Sequence, residues 1–378
     1  MRNIVCAIFG LVLLSSLTVR AADQLKGASA EWNFVVSGDS RNCGDLVMPT
    51  IAHAAAQHSP FFYWHLGDFR ALYKFDEDIL GQIDSKSGKP RLTMNITDYD
   101  RMAWDDFLQH QVVPFERLQI PIFLGIGNHE TVPPKTRADY IAQFADWLDA
   151  PVLQKQRLED NPQDHRLKTY FHWKKWGVDF ISLDNASADQ FDNEQLAWFN
   201  AVIEKDLADP VVRTIVVGMH KALPDSISKS HSMSESPAGV ETGRAVYEAL
   251  LKAQNQGHKH VYILASHSHF FMENIYNTSY WQEHGGILPG WIVGTAGAVR
   301  YRLPAGSPPN ARTDVYGYLL GTVNAHGEIR FAFQELGHDK LPADVAAQFD
   351  PRVVNFCFSQ NSDNKPALEL CPECSGVK

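Results

Sequence analysis

Ile120-Pro121-Ile122-Phe123-Leu124-Gly125-Ile126 runs without a break into Gly127-Asn128-His129-Glu130. The first part is apolar and of strand length. Its apolarity is continuous rather than alternating, which marks a strand buried on both faces. The second part is polar and made of groups that bind cations or move protons. The same design recurs along the chain. Phe34-Val35-Val36-Ser37 meets Gly38-Asp39, and Phe61 to Leu66 meets Gly67-Asp68. Phe180-Ile181-Ser182-Leu183 meets Asp184-Asn185, and Thr214 to Val217 meets Gly218-Met219-His220. Val261 to Ala265 meets Ser266-His267-Ser268-His269.

Helical segments lie between these strands. Asp192 to Gln195 has the form of a capping box, and Leu196, Phe199, Ile203 and Leu207 then share one face. Gly239 to Gln254, Val47 to Gln57 and Arg137 to Leu148 complete the set. Strand–helix alternation predicts a layered α/β fold, in which chemistry collects where strands end. Residues 84–100 and 303–313 read as loops. Beyond His269, Trp291-Ile292-Val293, Tyr316 to Val323 and Ile329 to Phe333 are expected to form a second sheet rather than a separate domain.

The chain has 378 residues, a net charge of −10 and an ordinary apolar fraction of 44%. A sizeable core is therefore available. The acidic balance argues against a nucleic-acid-binding surface. Arg2, the apolar run Ile4 to Leu17 and Val19-Arg20-Ala21 make the three parts of a secretory signal over residues 1–21. Its loss removes Arg2 and Arg20 and takes the charge to −12. No later segment is apolar for long enough to span a membrane. The expected location is thus secreted or periplasmic. Cys43, Cys357, Cys371 and Cys374 remain, an even number that suits disulfides with three possible pairings. Cys371-Pro-Glu-Cys374 lacks a second pair to make a zinc ribbon and reads as a local or tail-pinning disulfide.

Asp39, Asp68, Asn128, His220, His267 and His269 all follow expected strands. Two carboxylates, one amide oxygen and three imidazoles suit Zn²⁺, Mn²⁺, Fe or Co better than Ca²⁺. A carboxylate can bridge two cations, and a pair of cations can clamp both ends of an in-line phosphoryl displacement.

These segments, in this order, resemble the calcineurin-like metallophosphoesterases, the group that includes purple acid phosphatases and many phosphodiesterases. The likeness covers about residues 33–270, and Gly127-Asn128-His129-Glu130 is its most specific piece. It implies a four-layer α/β/β/α sandwich of two mixed β-sheets flanked by helices. The catalytic domain would span 22–340, with an insertion at 73–103 and a C-terminal tail at 341–378. The resemblance implies two transition-metal ions (Mn, Zn or Fe) as cofactors and a small-molecule phosphoester, mono- or diester, as substrate. Asp68 would bridge the ions. Asp39 and His269 would hold one, and Asn128, His220 and His267 the other. His129 would protonate the leaving oxygen or stabilise the phosphoryl oxygens, and Glu130 would orient His129. Asn128 and His129 would also face substrate. The implied nucleophile is a metal-bound hydroxide.

The sequence departs from the family at Asp39-Ser40-Arg41, where His normally stands two residues after the Asp. Arg41 is always charged and has no acceptor, so it cannot ligate a cation. It could bind a phosphate oxygen, and the first metal site would then be weaker, water-completed or empty. Ala71 stands where purple acid phosphatases carry a metal-binding Tyr. Arg41 also motivates an alternative, a catalytically silent binding protein on the same scaffold. Asp184 and Asn185 read as turn caps, Lys221 and Asp225 as a solvated loop, and Trp281 and Trp291 as core.

Overall fold

The computed structural model describes residues 31–83, 95–186 and 190–363. The expected signal at 1–21 and Cys371 and Cys374 lie outside the described residues. Eleven strands are present among them: β1 Trp32–Ser37, β2 Tyr63–His65, β3 Ile122–Leu124, β4 Phe171–Lys175, β5 Val178–Ser182, β6 Thr214–Gly218, β7 His260–Ala265, β8 Phe271–Glu273, β9 Gly290–Val293, β10 Tyr316–Val323 and β11 Ile329–Leu336.

Two mixed sheets form, in the orders β11-β10-β1-β2-β3 and β4-β5-β6-β7-β9-β8. The sheets are divided differently from the sequence expectation. β10 and β11 do not join a late second sheet. β10 pairs antiparallel with β1, Val35 opposite Leu320, so both ends of the chain build the first sheet. The middle of the chain builds the second. β4 and β8 were not expected as strands.

Continuous apolar strands need cover on both faces, and the cores show how it is supplied. Phe34, Val36, Phe62 and Trp64 point between the sheets, against Phe180, Val216, Leu264 and Val293 of the other sheet. Val35, Tyr63, Ile122 and Leu124 face outward onto the helices Gly44–Ala56 and Arg137–Gln143. Ile215, Val217 and Ile263 face the helices Asn193–Ala208 and Pro237–Asn255. The result is the expected four-layer α/β/β/α sandwich. Each fully buried large apolar side chain contributes about 1.5–3 kcal/mol relative to exposure.

Two local expectations change. Asp192 caps its helix by accepting from Gln195 N at 2.7 Å, but Gln195 does not return the bond. Its amide instead grips Asp184, accepting from the backbone N at 2.7 Å and donating to the backbone O at 2.8 Å. The stretch from 341, expected to begin a tail, folds back. Val353, Phe356 and Cys357 of the helix Pro351–Ser359 enter the first core, and Cys357 is disulfide-bonded to Cys43. Arg41 and Cys43 leave one turn, so this bridge anchors the chain beside the strand ends.

Candidate metal centre

Sheet register decides where the chemistry falls. Ser37, His65 and Leu124 are in line across parallel β1, β2 and β3, and Gly218 is in line with Leu264 across β6 and β7. The polar residues after these strands therefore emerge at one edge of the sandwich, where the two sheets meet. Asp39, Asp68 and His267 have φ of 62°, 63° and 63°, in the left-handed region that non-glycine residues rarely adopt. Such strain costs of order 1–3 kcal/mol each and persists where surrounding structure dictates it. Gly127 has no Cβ because one would overlap the Asp68 side chain and backbone.

Asp39, Asp68, His220 and His267 each present an atom within 4.8 Å of the others. His220 Nδ1 lies 3.0 Å from the Leu66 carbonyl, which can only accept, so a ring hydrogen sits there and Nε2 is the atom turned to the cluster, available to a cation once deprotonated. That Nε2 lies 3.0 Å from Asn128 Oδ1, 2.9 Å from His267 Nδ1 and 3.3 Å from Asp68 Oδ1. One hydrogen on His267 could bridge only one of these approaches. A cation satisfies them together. Asp39 Oδ1 and Asp68 Oδ2 are buried without a hydrogen-bond partner, the state of oxygens awaiting a ligand. The residues fit a bound transition metal.

The electrostatics of the side chains alone show which charges a bound cation would replace. Burial raises Asp68, yet His220, His129 and Arg41 together hold its carboxyl well below the usual range. Burial lowers His220, but Asp68 and Asp39 outweigh it and push the ring up to about 9, so without a metal Nε2 takes a proton between these carboxylates, the proton a bound cation would displace. Burial and the neighbouring His220 hold His267 well below its ordinary value, so it keeps a free lone pair.

His269 stands apart from this group. Its Nδ1 faces the Val299 carbonyl at 2.7 Å, leaving Nε2 to face Asp39 Oδ1 at 3.2 Å and Arg41 Nη2 at 3.4 Å. Arg41 is 7% exposed and donates from Nη1 to His129 Nε2 at 2.7 Å. His129 is held from its other side by the Ala71 carbonyl, 3.0 Å from Nδ1. Burial pulls His129 below its ordinary pKa, with Arg41 adding to the effect against Asp68.

Glu130 does not orient His129, contrary to the sequence expectation. Its buried carboxylate accepts from Gly127 N at 2.7 Å and from Asp68 N and Phe69 N at 2.8 Å. It ties the loop after β2 to the loop after β3. Adjacency in sequence placed it wrongly because the 3-10 turn His129–Thr131 sends neighbouring side chains in different directions. Asp184 and Asn185 do more than cap a turn. Asp184 pairs with Arg137 at 2.6 Å, and Asn185 brackets Lys221 N and O at 3.0 and 2.8 Å. Trp281 and Trp291 are core, as expected.

Sequence reasoning missed the rim. Tyr301 stacks on His269 with ring centroids 4.0 Å apart, and His231 lies 5.1 Å from Tyr301. Tyr73, 58% exposed, lies 5.5 Å from the His129 ring. None of the three sits in a motif, so only folding brings them together. A second donor group, Asp45, Asp106 and His110, is already filled: the Arg70 guanidinium contacts Asp45 and Asp106 directly and Asp78 at 3.0 Å. A partly open cavity of about 200 Å³ lined by Leu153, Tyr170, His172 and Trp198 contains none of the strand-end donors.

No protein-family model matches the sequence, and no curated protein matches it. Solved structures do. The chain superposes on PhoD with a TM-score of 0.50 at 15% identity, covering 82% of this chain and 69% of that one. A dimetal phosphatase from Danio rerio gives 0.49 at 12%, covering 80% and 95%. A purple acid phosphatase from yellow lupin (Lupinus luteus) seeds gives 0.49 at 17%, covering 91% and 58%. The chain has the calcineurin-like metallophosphoesterase fold that its strand-end motifs resemble.

Proposed function

We propose that this protein hydrolyses a phosphate ester, mono- or diester, at a transition-metal centre held by Asp39, Asp68, Asn128, His220 and His267. The observation that carries this is the convergence of donors on His220 Nε2 beside two orphaned carboxylate oxygens. A bound cation supplies Lewis-acid polarisation and a water acidic enough to attack near neutral pH. The chain's own residues do the rest. Asp68 is fixed by the backbone N–H of His129 at 2.9 Å and Asp39 by that of His267 at 2.7 Å. Arg41 offers a planar fork to phosphoryl oxygens. His129 carries its hydrogen on Nδ1, so in this form Nε2 holds Arg41 in place; it becomes a proton donor only below its ordinary pKa. Tyr73, His231 and Tyr301 suit a planar leaving group at the mouth.

The disulfide between Cys43 and Cys357 accords with a location outside the cytosol, and among the described residues no helix is long and apolar enough to cross a membrane. We place the protein as secreted or periplasmic, its first 21 residues acting as the export signal.

A hydrolysis panel tests the function. Aryl monoesters, aryl diesters, nucleotides and phospholipid head groups are offered with Mn²⁺, Zn²⁺, Fe and Mg²⁺ in turn. Asp68→Asn is expected to abolish turnover, and His129→Ala to reduce it, most strongly at acid pH where His129 carries a second proton, in folded protein. An unchanged rate in Asp68→Asn overturns the mechanism. Arg41 favours the second reading, a silent binding protein; metal bound without turnover on any substrate would support it.

A further inference from the structure

Arg41 occupies the place where a second cation would need its ligands. A cation between Asp39, Asp68 and His269 requires the lone pair of His269 Nε2. That lone pair already has a donor, Arg41 Nη2 at 3.4 Å, and the neighbouring lone pair of His129 has another, Arg41 Nη1 at 2.7 Å. Tyr301 closes the same side, its hydroxyl accepting from Arg41 Nη2 at 3.4 Å. His269 is absent from the group of donors that lie within 4.8 Å of one another, whereas Asp39 belongs to it. Asp39 keeps the neighbour the resemblance gives it, with Oδ1 3.2 Å from His269 Nε2, and also reaches the cluster of Asp68, His220 and His267. What the His269 side lacks is a further ligand, and the guanidinium stands in that place.

The chain uses this device elsewhere. Asp45, Asp106 and His110 converge as metal ligands would, and the buried guanidinium of Arg70 lies among them. An arginine set among carboxylates supplies the positive charge that burial demands, without ligand exchange. A divalent ion beside it would meet like charge in a site shielded from water, where repulsion is strong.

We infer that Arg41 takes the place of one cation, so that the centre binds a single metal ion where the sequence resemblance implies two. This rests on the reading that Asp68, Asn128, His220 and His267 hold a metal. Arg41 would then act as a fixed clamp on the anionic substrate opposite the one ion.

The test is metal content in the full chain. Wild type, Arg41→His and Arg41→Lys are loaded with Mn²⁺, freed of loosely held ion, and measured by elemental analysis and electron paramagnetic resonance. Near-ultraviolet circular dichroism checks that each is folded. Wild type is expected to hold about one ion per chain with the spectrum of an isolated Mn²⁺. Arg41→His, which offers an imidazole in place of the cation, is expected to hold about two, with a spin-coupled spectrum. Arg41→Lys keeps the charge and is expected to stay at about one. Two coupled ions in wild type would overturn the inference and leave the metal centre standing. One ion in folded Arg41→His would also overturn it, because Arg41 would not be what closes the site. No ion in wild type would remove the metal centre itself, and this inference with it.

Discussion

His172 allows the electrostatics of this fold to be tested away from the metal centre. It lies on β4, 4% exposed, with Nδ1 2.7 Å from Asp179 Oδ2 and Nε2 against Asp160 Oδ2. Carboxylates only accept, so both ring nitrogens carry hydrogen and the ring is an imidazolium. Burial works against that charge, but Asp179 and Asp160 outweigh it and push the pKa up to about 10. An unfolded histidine titrates near 6.5, so the folded value is raised. The stabilisation is complete below about 6.5 and is lost as pH rises through about 10. A gap of that size corresponds to at most roughly 5 kcal/mol, released at about 1.4 kcal/mol per pH unit. His172→Gln keeps one donor and removes the charge, leaving Asp179 buried without its counter-ion. At pH 7 the expected loss is about 3–5 kcal/mol. Urea unfolding of both chains at pH 7, 8 and 9 should show the difference shrinking by about 1 kcal/mol per unit. Asp206, pushed up to about 8 chiefly by burial and Asp179, titrates in the same window. Because Asp179 also pairs with His172, the comparison is made in an Asp206→Asn background, where the difference isolates His172. A difference that stays constant from pH 7 to 9 would refute the imidazolium.

Three further outcomes follow from the site. Gly127→Ala places a Cβ against Asp68, and calorimetric titration with Zn²⁺ should show affinity reduced about 10–100-fold, the range for disturbed ligand support; unchanged affinity would mean Asp68 is not held there. A chelator should stop hydrolysis while far-ultraviolet circular dichroism stays native, since two large cores and a disulfide hold the fold without metal; unfolding on chelation would assign the metal a structural role. Raising salt should leave kcat/KM for a small phosphate ester level or higher, because the charge of −12 left without the signal repels anions at long range. A steep fall would reveal a positive steering field.

The parallel strands and their terminal donors were legible because one physical demand writes both. A strand buried on two faces must be apolar throughout, so a change to Asp, Asn or His marks its end. Asp39, Asp68, Asn128, His220 and His267 were placed that way. The sheet partners of β10 and β11 were not legible, since pairing Val35 with Leu320 depends on contacts far apart in sequence. β4 was hidden because Phe171-His172-Trp173-Lys174-Lys175 puts charged residues on an edge strand. Its His172 is buried only because Asp160 and Asp179 pair with it. Gln195 matched a capping pattern, yet its amide found a better partner in Asp184. Glu130 was given the wrong partner for a similar reason: a motif names residue types, while turn geometry decides which backbone N–H groups a carboxylate meets.

Arg41 shows how a single departure from a motif changes what a site must do. With His220 neutral, as a metal ligand must be, Asp39 and Asp68 against one guanidinium leave the cleft with one negative charge in excess. Glu130 adds less than a full charge to this sum near neutral pH, because burial and Asp68 push its carboxyl up to about 7 against three backbone N–H bonds that favour the charged form. One divalent cation turns the excess to one positive charge. A second would turn it to three. A phosphate ester carries one or two negative charges, so a cleft with one cation and Arg41 comes near neutrality with substrate bound. A cleft with two cations and Arg41 would stay positive, and release of inorganic phosphate would be opposed. In a buried site such imbalances are costly. The guanidinium is therefore better understood as part of the charge balance of the centre than as a lost ligand, and it lets an acidic protein present a locally positive face to an anionic substrate.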